Sequence, residues 1–320
     1  MNTRNAGKYR HLYGPVPSRR LGRSLGVDIV PFKVCSYDCV YCQLGRTTDL
    51  TATPRSLVSA SEVMREIEQW LKSGGTADYI TYAGSGEPTL NSDLGEMIRA
   101  TKMLTSIPSA VITNGSLLSE PDTGAAISMA DVLLPSLDAG TEDTFQTVNR
   151  PDKTLSFAKM TEGLVRTSKE FPGQVWLEVM LVDGLNDSEA ELQAMRDIIQ
   201  RACPNKLQIN TVERPSRSGN VKRVSDQTLT RALDILGETA EVVDSSLPEH
   251  IDSQQWREVE EELLQLLSRR PCTAGDIATA SGHNIHEVGK YLRRLQNRGV
   301  IEQIGDTDPY YRTVAGGQND

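Results

Sequence analysis

The sequence predicts an α/β protein built around a parallel sheet. From about residue 26 to residue 243, short apolar runs rich in β-branched residues alternate with amphipathic segments of helical period. Repeated alternation of this kind indicates parallel strands joined by right-handed helical crossovers, in either an open doubly wound sheet or a barrel. In both arrangements, functional side chains collect at the carboxyl ends of the strands.

Six strands and five helices account for this part of the chain. The predicted strands lie at residues 27–30, 79–82, 110–113, 132–134, 175–180 and 206–209. The predicted helices lie at residues 61–71, 94–104, 154–168, 188–202 and 226–236. In the first of these helices, Val63, Ile67 and Trp70 share one face, and the Gly74-Gly75 pair ends the helix.

The remainder of the chain predicts a second, smaller domain. Three helical segments, the second of which has Thr273 as its N-cap, precede two short apolar runs at 300–304 and 310–314. This order of helices and hairpin resembles a winged-helix domain. We therefore predict a larger domain at residues 1–248 and a winged-helix domain at residues 249–320.

Composition and charge favour a cytoplasmic protein that does not cross a membrane. No apolar run approaches the roughly 20 residues that span a bilayer, and the N-terminus lacks an apolar signal core. The five cysteines show no disulfide pattern, which fits a reducing compartment. The net charge of −9 argues against a general nucleic-acid coat, yet residues 1–55 carry nine basic and three acidic side chains. This basic stretch indicates either an anionic ligand nearby or solvated surface arginines.

Three of the five cysteines, Cys35, Cys39 and Cys42, lie in one short loop after the first predicted strand. Spacings of four and three residues let three thiolates converge on one soft metal centre. A closed tetrahedral zinc site needs a fourth ligand, and none lies nearby in the sequence. A [4Fe–4S] cluster held by three cysteines instead leaves one iron open to an outside ligand.

The cysteine spacing and four further segments at predicted strand ends resemble the radical S-adenosylmethionine (radical SAM) enzymes. The glycine-rich turn Gly84-Ser85-Gly86-Glu87-Pro88 follows the second strand, and its serine departs from the adjacent glycines common in that family. The other segments are Thr113-Asn114-Gly115, Pro135-Ser136-Leu137-Asp138 and Leu181-Val182-Asp183-Gly184-Leu185-Asn186. The resemblance covers most of residues 14–245 and implies a partial (β/α)6 TIM-like barrel.

The resemblance implies one [4Fe–4S] cluster on Cys35, Cys39 and Cys42, with S-adenosylmethionine (SAM) bound to the open iron. An electron donor such as a flavodoxin or ferredoxin is implied, as is cleavage of SAM to methionine and a 5′-deoxyadenosyl radical that takes hydrogen from a substrate. Because the sequence has no second cysteine group, no auxiliary cluster is expected. No residue is singled out as a catalytic hydrogen donor, and the substrate stays open.

The resemblance also assigns contacts to SAM. The turn Gly84–Glu87 is expected to receive the methionyl amino group. Tyr41 is assigned to the adenine, with a packed loop aromatic as the alternative, and Ser136 and Asp138 are candidates for the ribose hydroxyls. Candidates for the adenosyl or methionyl part are Asn114 and Asn186.

A narrower resemblance rests on the run from Gly14 to Gly26 together with Cys39–Gly45. Both resemble a subgroup described as wyosine-base-formation-like iron–sulfur oxidoreductases. The wyosine-forming enzyme uses a second cluster, so its activity is not carried over. The run contains Arg19, Arg20 and Arg23, which suit anionic groups, although pairing with acidic helices is the favoured interpretation. A second group of candidate anion-binding residues is Arg214, Arg217, Lys222 and Arg223.

The predicted winged helix indicates a possible partner surface. Its third helix carries four basic side chains, Lys290, Arg293, Arg294 and Arg298. Residues 250–320 nevertheless have a net charge of −3, which is unusual for a dedicated DNA-binding domain. A nucleic-acid partner, a protein or peptide partner, and a purely structural role all stay open.

Two other functions compete with the radical SAM interpretation. One is an iron–sulfur redox sensor that acts through the winged helix. The other is a zinc-stabilised nucleic-acid-binding protein, whose fourth ligand would be Cys203, Cys272 or a histidine. Both cysteines resemble packed single residues, and none of the histidines has ligand spacing with the triplet: His11, His250, His283 and His286.

Overall fold

The structure is a computed structural model. It describes residues 9–18, 20–42, 44–212, 221–237, 239–243, 259–261, 263–264, 266–267, 271–281, 285–305 and 309–314. Several predictions fall outside the described residues: those for Arg19, Arg214, Arg217, His250, His283 and the domain boundary at residue 248.

Ten strands form the sheets among the described residues from Tyr9 to Val243. In chain order they are β1 (Leu12–Ser18), β2 (Gly22–Asp28), β3 (Val34–Cys35), β4 (Asp49–Leu50), β5 (Tyr79–Ala83), β6 (Ser109–Thr113), β7 (Val132–Pro135), β8 (Gln174–Leu181), β9 (Lys206–Thr211) and β10 (Ala240–Val242). Strands β3 and β4 pair with each other, and the other eight form one sheet in the order β1-β2-β5-β6-β7-β8-β9-β10.

The strand order identifies the architecture. Strand β1 is antiparallel to β2, and all the other neighbouring pairs in the sheet are parallel. A doubly wound sheet reverses its strand order at a switch point, and this order never reverses. Leu21, in the turn between β1 and β2, packs against Ala110 of β6 and Trp176 of β8. The sheet therefore curves around Leu21, and the predicted partial barrel is confirmed.

Seven helices cover the outer face of the barrel within the described residues. They are α1 (Ala60–Lys72), α2 (Leu94–Leu104), α3 (Pro121–Ile127), α4 (Glu142–Val148), α5 (Phe157–Glu170), α6 (Glu189–Ala202) and α7 (Asp226–Leu236). Outward strand residues such as Ile80 and Leu177 share the main core with helix residues such as Ile67 and Leu192. Among the helices that are described, none is both long and apolar enough to cross a bilayer.

Several elements differ from the prediction. The first predicted strand, 27–30, is β2, which ends at Asp28 because its pairing with β5 ends there. Helix α5 begins at Phe157, since the Ser156 side chain accepts a hydrogen bond from the Lys159 backbone N–H and caps it. The sequence did not predict β1, β3, β4, β10, α3 or α4.

Arg20 and Arg23, the two described arginines of the run, lie at the β1–β2 hairpin, at the amino end of β2. The partner of Arg20 was predicted wrongly. Arg20 pairs with Glu178, which lies on strand β8 inside the barrel and not on a helix. Arg23 donates through Nη2 to the carbonyl oxygen of Thr76, 3.3 Å away, and through its backbone N–H to Asp78.

From Cys272 onward, the described C-terminal elements follow the predicted order. They are β11 (Cys272–Thr273), α8 (Ala274–Ser281), α9 (Ile285–Asn297), β12 (Ile301–Ile304) and β13 (Tyr310–Thr313). Thr273 caps α8 as predicted, because its Oγ1 accepts a hydrogen bond from the Asp276 backbone N–H at 3.0 Å. Strand β11 adds a third strand to the predicted two-stranded wing. Assignment to the winged-helix class stays a prediction, as do the two domain ranges.

Candidate functional site

The cysteine loop follows β2 and is fixed against α4. The backbone N–H of Val40 donates to the carbonyl oxygen of Val148 at 2.9 Å, and that of Asp38 donates to the carbonyl oxygen of Asn149 at 3.0 Å. A turn joins Cys39 to Cys42, whose N–H donates to the carbonyl of Cys39 at 3.1 Å. Backbone bonds to α4 therefore set the position of the loop at the carboxyl edge of the sheet.

Each of the three cysteine sulfurs lies next to a nitrogen donor from a different segment. The Nδ2 atom of Asn114 lies 3.7 Å from the Sγ atom of Cys35. The Nδ2 atom of Asn149 lies 3.6 Å from the Sγ atom of Cys39. The Nζ atom of Lys33 lies 2.9 Å from the Sγ atom of Cys42. Donors aimed at sulfur stabilise the thiolate form that binds metal.

Burial keeps two of these thiols protonated when no metal is bound. Burial, and secondly the charge of Glu87, raises the pKa of the Cys35 thiol to about 12. Burial, and secondly the charge of Asp138, raises the pKa of the Cys39 thiol well above its usual value. Metal binding therefore has to displace protons from this loop.

A single-ion zinc site does not fit this loop. In the part of the chain that the structure describes, no three His, Cys, Asp or Glu side chains are grouped closely enough to hold one metal ion. Cys203 is exposed at the end of α6, just before the amino end of β9 and opposite the cysteine loop. Cys272 is buried in the C-terminal core. Neither supplies the fourth ligand that the zinc hypothesis requires.

The turn Gly84–Glu87 holds its shape through close backbone approaches. A Cβ atom on Gly86 would lie 1.7 Å from the carbonyl oxygen of Val34, so only glycine fits there. The backbone N–H and the Oγ atom of Ser85 donate to the Asp28 carboxylate at 3.0 and 2.6 Å. This contact explains the departure from adjacent glycines, because the serine hydroxyl ties the turn to the end of β2.

The buried Glu87 carboxylate accepts hydrogen bonds from the segments around the site. Its Oε1 atom accepts from the backbone N–H and the Oγ1 of Thr89, at 3.0 and 2.6 Å, and from Thr113 Oγ1 at 2.6 Å. Its Oε2 atom accepts from the backbone N–H of Asn114 at 2.7 Å. Burial raises the pKa of Glu87, and these hydrogen bonds oppose the rise. The Glu87 side chain therefore positions Asn114 beside Cys35.

The predicted adenosyl contacts meet at Asp138, at the end of β7. The Tyr41 hydroxyl donates to Oδ2 of Asp138, which also accepts from Nδ2 of Asn149 at 2.9 Å. Its Oδ1 accepts from the backbone N–H of Met180 at 3.0 Å. Burial raises the pKa of Asp138, and the bond from Tyr41 opposes this most strongly. Ser136 lies half-buried two residues earlier and pairs with Glu178 across the strands.

Asn186 is near the site, but its polar atoms are bonded to the backbone. Its Nδ2 donates to the carbonyl oxygens of Asp138 and Met180, each at 2.8 Å. Its Oδ1 accepts from the backbone N–H of Val182 at 2.7 Å. Asn186 is fully buried, so it supports the loop around Asp138.

Residues 29–194 match the protein family described as the Radical SAM superfamily. The chain belongs to this superfamily. The matched region contains the cysteine triplet and the residues assigned to SAM. The superfamily predicted from the cysteine spacing is therefore confirmed, and radical SAM membership implies an enzyme with a [4Fe–4S] cluster and SAM.

The chain is also similar to two relatives in sequence and to a solved structure in fold. A UPF0026 protein of Helicobacter pylori is 32% identical over 307 residues, covering 93% of this chain and 96% of that protein. A Brachyspira hyodysenteriae protein named GTPase Obg is 35% identical over 303 residues, covering 94% of this chain. The radical SAM chain spans only 45% of that protein's length. The structure of a radical SAM methyltransferase from Sphaerobacter thermophilus shares the fold, with a TM-score of 0.52, 19% identity, and coverage of 68% of this chain and 66% of that one.

Sequence reasoning missed several residues of this radical SAM site. Lys33 and Asn149 donate to cysteine sulfurs, and Asp28 binds the serine of the glycine-rich turn. Of these three residues, only Asp28 could have been found from the sequence. It is a polar residue near the carboxyl end of the first parallel strand, and functional residues collect at that edge of the sheet. Asn149 is 110 positions from Cys39 in the sequence, so no local pattern joins them.

Proposed function

We propose that this radical SAM protein cleaves SAM reductively and uses the resulting radical to abstract hydrogen from a substrate. The observation that carries the proposal is the set of three cysteine sulfurs, each next to its own nitrogen donor. When bound, the cluster on Cys35, Cys39 and Cys42 supplies the electron that splits SAM into methionine and the 5′-deoxyadenosyl radical.

The protein's own residues bind and orient SAM. Gly84 and Gly86 let the turn pack closely against Asp28 and the carbonyl oxygen of Val34, and Glu87 ties the turn to Asn114. The backbone of the turn would receive the methionyl group. Tyr41 and Asp138 would hold the adenosyl group, with the Asp138 carboxylate oriented by Asn149. Asn186 acts indirectly, by holding the Asp138 backbone.

The decisive test is anaerobic reconstitution with iron and sulfide, followed by dithionite and SAM. We expect 5′-deoxyadenosine to form, detected by liquid chromatography and mass spectrometry. An intact cluster that yields no 5′-deoxyadenosine above the level of a protein-free control would refute the proposal. That result would instead favour the iron–sulfur sensor, which has no need of the glycine-rich turn.

Lys33 is expected to set the reduction potential of the cluster. Its side chain is buried, and Nζ donates to Cys42 Sγ and, at 2.6 Å, to the carbonyl oxygen of Gly45. A cation and donor beside a ligand sulfur favours the more negative, reduced cluster. We expect Lys33→Met to lower the midpoint potential in an EPR-monitored titration. The matched control, exposed Lys72→Met, should leave it unchanged, and an equal potential in both variants would contradict the assignment.

An electron donor of the flavodoxin or ferredoxin type is part of this proposal. A second partner would bind the C-terminal elements. Arg294 of α9 and Arg298, which directly follows this helix, both pair with Glu260, at 2.9 and 2.6 Å. The pairing reduces the positive charge that this part of the chain offers to phosphates. The pairing favours a protein or peptide partner over nucleic acid.

A further inference from the structure

A group of polar side chains lies inside the barrel, below the predicted SAM site. Glu178 of β8 and Gln208 and Asn210 of β9 face inward, because they alternate with residues such as Leu177 and Leu207 that belong to the outer core. We call Arg20, Glu178, Gln208 and Asn210 the interior polar cluster. Below it the barrel is closed by apolar residues, including Leu21, Leu134 and Trp176.

The interior polar cluster adjoins the SAM site through shared backbone bonds. The backbone N–H of Leu137 donates to the carbonyl oxygen of Glu178 at 2.8 Å, so Glu178 lies beside Ser136 and one residue pair below Asp138. Asn210 is the strand partner of Met180, whose N–H binds Asp138. A group held by the cluster would therefore lie next to the predicted ribose contacts, where a substrate hydrogen has to be placed.

The hydrogen bonds of the interior polar cluster leave two acceptors unused. Arg20 and Nδ2 of Asn210 bind the two oxygens of Glu178, and Nε2 of Gln208 donates to Glu241 at 3.1 Å. Oδ1 of Asn210 and Oε1 of Gln208 are buried and accept no hydrogen bond from the described residues. Asn210 is 5% exposed and Gln208 is 4% exposed. A buried acceptor without a donor costs about 1–3 kcal/mol, so two on one face indicate a ligand that supplies the donors.

The chemistry of these atoms specifies that ligand. Both amide nitrogens are already used, and the free atoms are acceptors only. Ammonium and guanidinium groups are donors only, and they therefore complement the site. The charge agrees, because Glu178 pairs with Arg20, while the carboxylate of Glu241 bonds the neutral amide of Gln208 and adds a second negative charge beside the cluster. We propose that the interior polar cluster binds a cationic nitrogen group, an ammonium or a guanidinium, of the substrate. That this group belongs to a substrate rests on the proposed radical SAM function.

The proposal is tested by binding of small cations to the full-length reconstituted protein, without SAM or reductant. The probes are n-butylammonium and n-propylguanidinium, each with a neutral counterpart, n-butanol and n-propylurea respectively, in calorimetric titrations. We expect saturable binding of at least one cation. Its neutral counterpart should bind at least about ten-fold more weakly, because it cannot make hydrogen bonds from a charged group. The tighter of the two cations identifies the substrate group.

Variants locate the binding to the cluster. Asn210→Leu and Gln208→Met each remove one acceptor and replace it with an apolar side chain of similar size. Each variant should bind the cation about ten-fold more weakly than the wild type does. Exposed Gln193→Leu on α6 is the matched control and should bind as the wild type does. Gln208→Met decides the question if Asn210→Leu does not fold, since the only other partner of Gln208 among the described residues is the exposed Glu241.

Two outcomes would overturn the proposal: equal binding of cation and neutral counterpart, or unchanged cation binding in the folded variants. These outcomes are separate from failure of the proposed function. Cation binding without formation of 5′-deoxyadenosine would leave the cation site in place and refute the radical reaction. Formation of 5′-deoxyadenosine without cation binding would refute only the cation site.

Discussion

Replacing Cys39 with alanine is expected to abolish both the iron–sulfur cluster and 5′-deoxyadenosine formation. Cys39 is central in the triplet, and it is joined to the SAM site because Asn149 binds both its sulfur and Asp138. Two remaining thiols cannot anchor a four-iron cluster that also keeps one iron open. After anaerobic reconstitution, we expect about four irons per wild-type chain and far fewer in the variant, together with loss of visible absorbance.

The matched control is Cys203→Ala. Cys203 is exposed at the end of α6, near the amino ends of the strands, whereas the cysteine loop lies at their carboxyl ends. The variant should therefore keep the iron content and the activity of the wild type. Elemental analysis also separates the alternatives. One zinc per chain, lost in Cys39→Ala, would contradict the cluster assignment and restore the zinc hypothesis.

The sequence predicted the fold best where helices carry both a periodic apolar face and clear ends. Helix α2 (Leu94–Leu104) and helix α7 (Asp226–Leu236) have the predicted bounds. In α7 the Ser225 side chain accepts from the Thr228 backbone N–H, and Gly237 follows the last turn. Helices α3 and α4 have seven residues each, too few for a period to be recognised. Strand β1 contains a glycine and two prolines, which sequence rules treat as signs of a turn.

The site was predictable to the extent that it follows from topology. The loops that follow parallel strands lie on one edge of the sheet. The sequence alone therefore predicted that the turns at Gly84, Asn114 and Asp138 lie near the cysteines. What each side chain does there could not be predicted. Glu87 and Asn186 stay predicted contacts of SAM, and the structure adds that their polar atoms bond to neighbouring segments. Such contacts depend on tertiary placement, which no motif encodes.

Replacing Glu87 with alanine is expected to produce the largest loss of stability among the residues of the site. The variant leaves the buried donors of Thr89, Thr113 and Asn114 without their acceptor and opens a cavity beside the carboxyl end of β6. Loss of a buried, multiply bonded carboxylate costs about 3–5 kcal/mol. We expect the free energy of unfolding to fall by this amount in urea titrations followed by fluorescence. Exposed Glu162→Ala on α5 is the control and should change it by less than about 0.5 kcal/mol.

Glu87→Gln separates the loss of charge from the loss of shape. The glutamine Oε1 can keep the bonds from Thr89 and Thr113, but its Nε2 would face the backbone N–H of Asn114, donor against donor. We therefore expect an intermediate stability loss of about 1–3 kcal/mol. Because Asn114 also lies beside Cys35, the same variant should weaken SAM binding to the reconstituted protein. If Glu87→Gln lost SAM affinity with wild-type stability, the carboxylate would contact the cofactor directly, and the positioning role would be wrong.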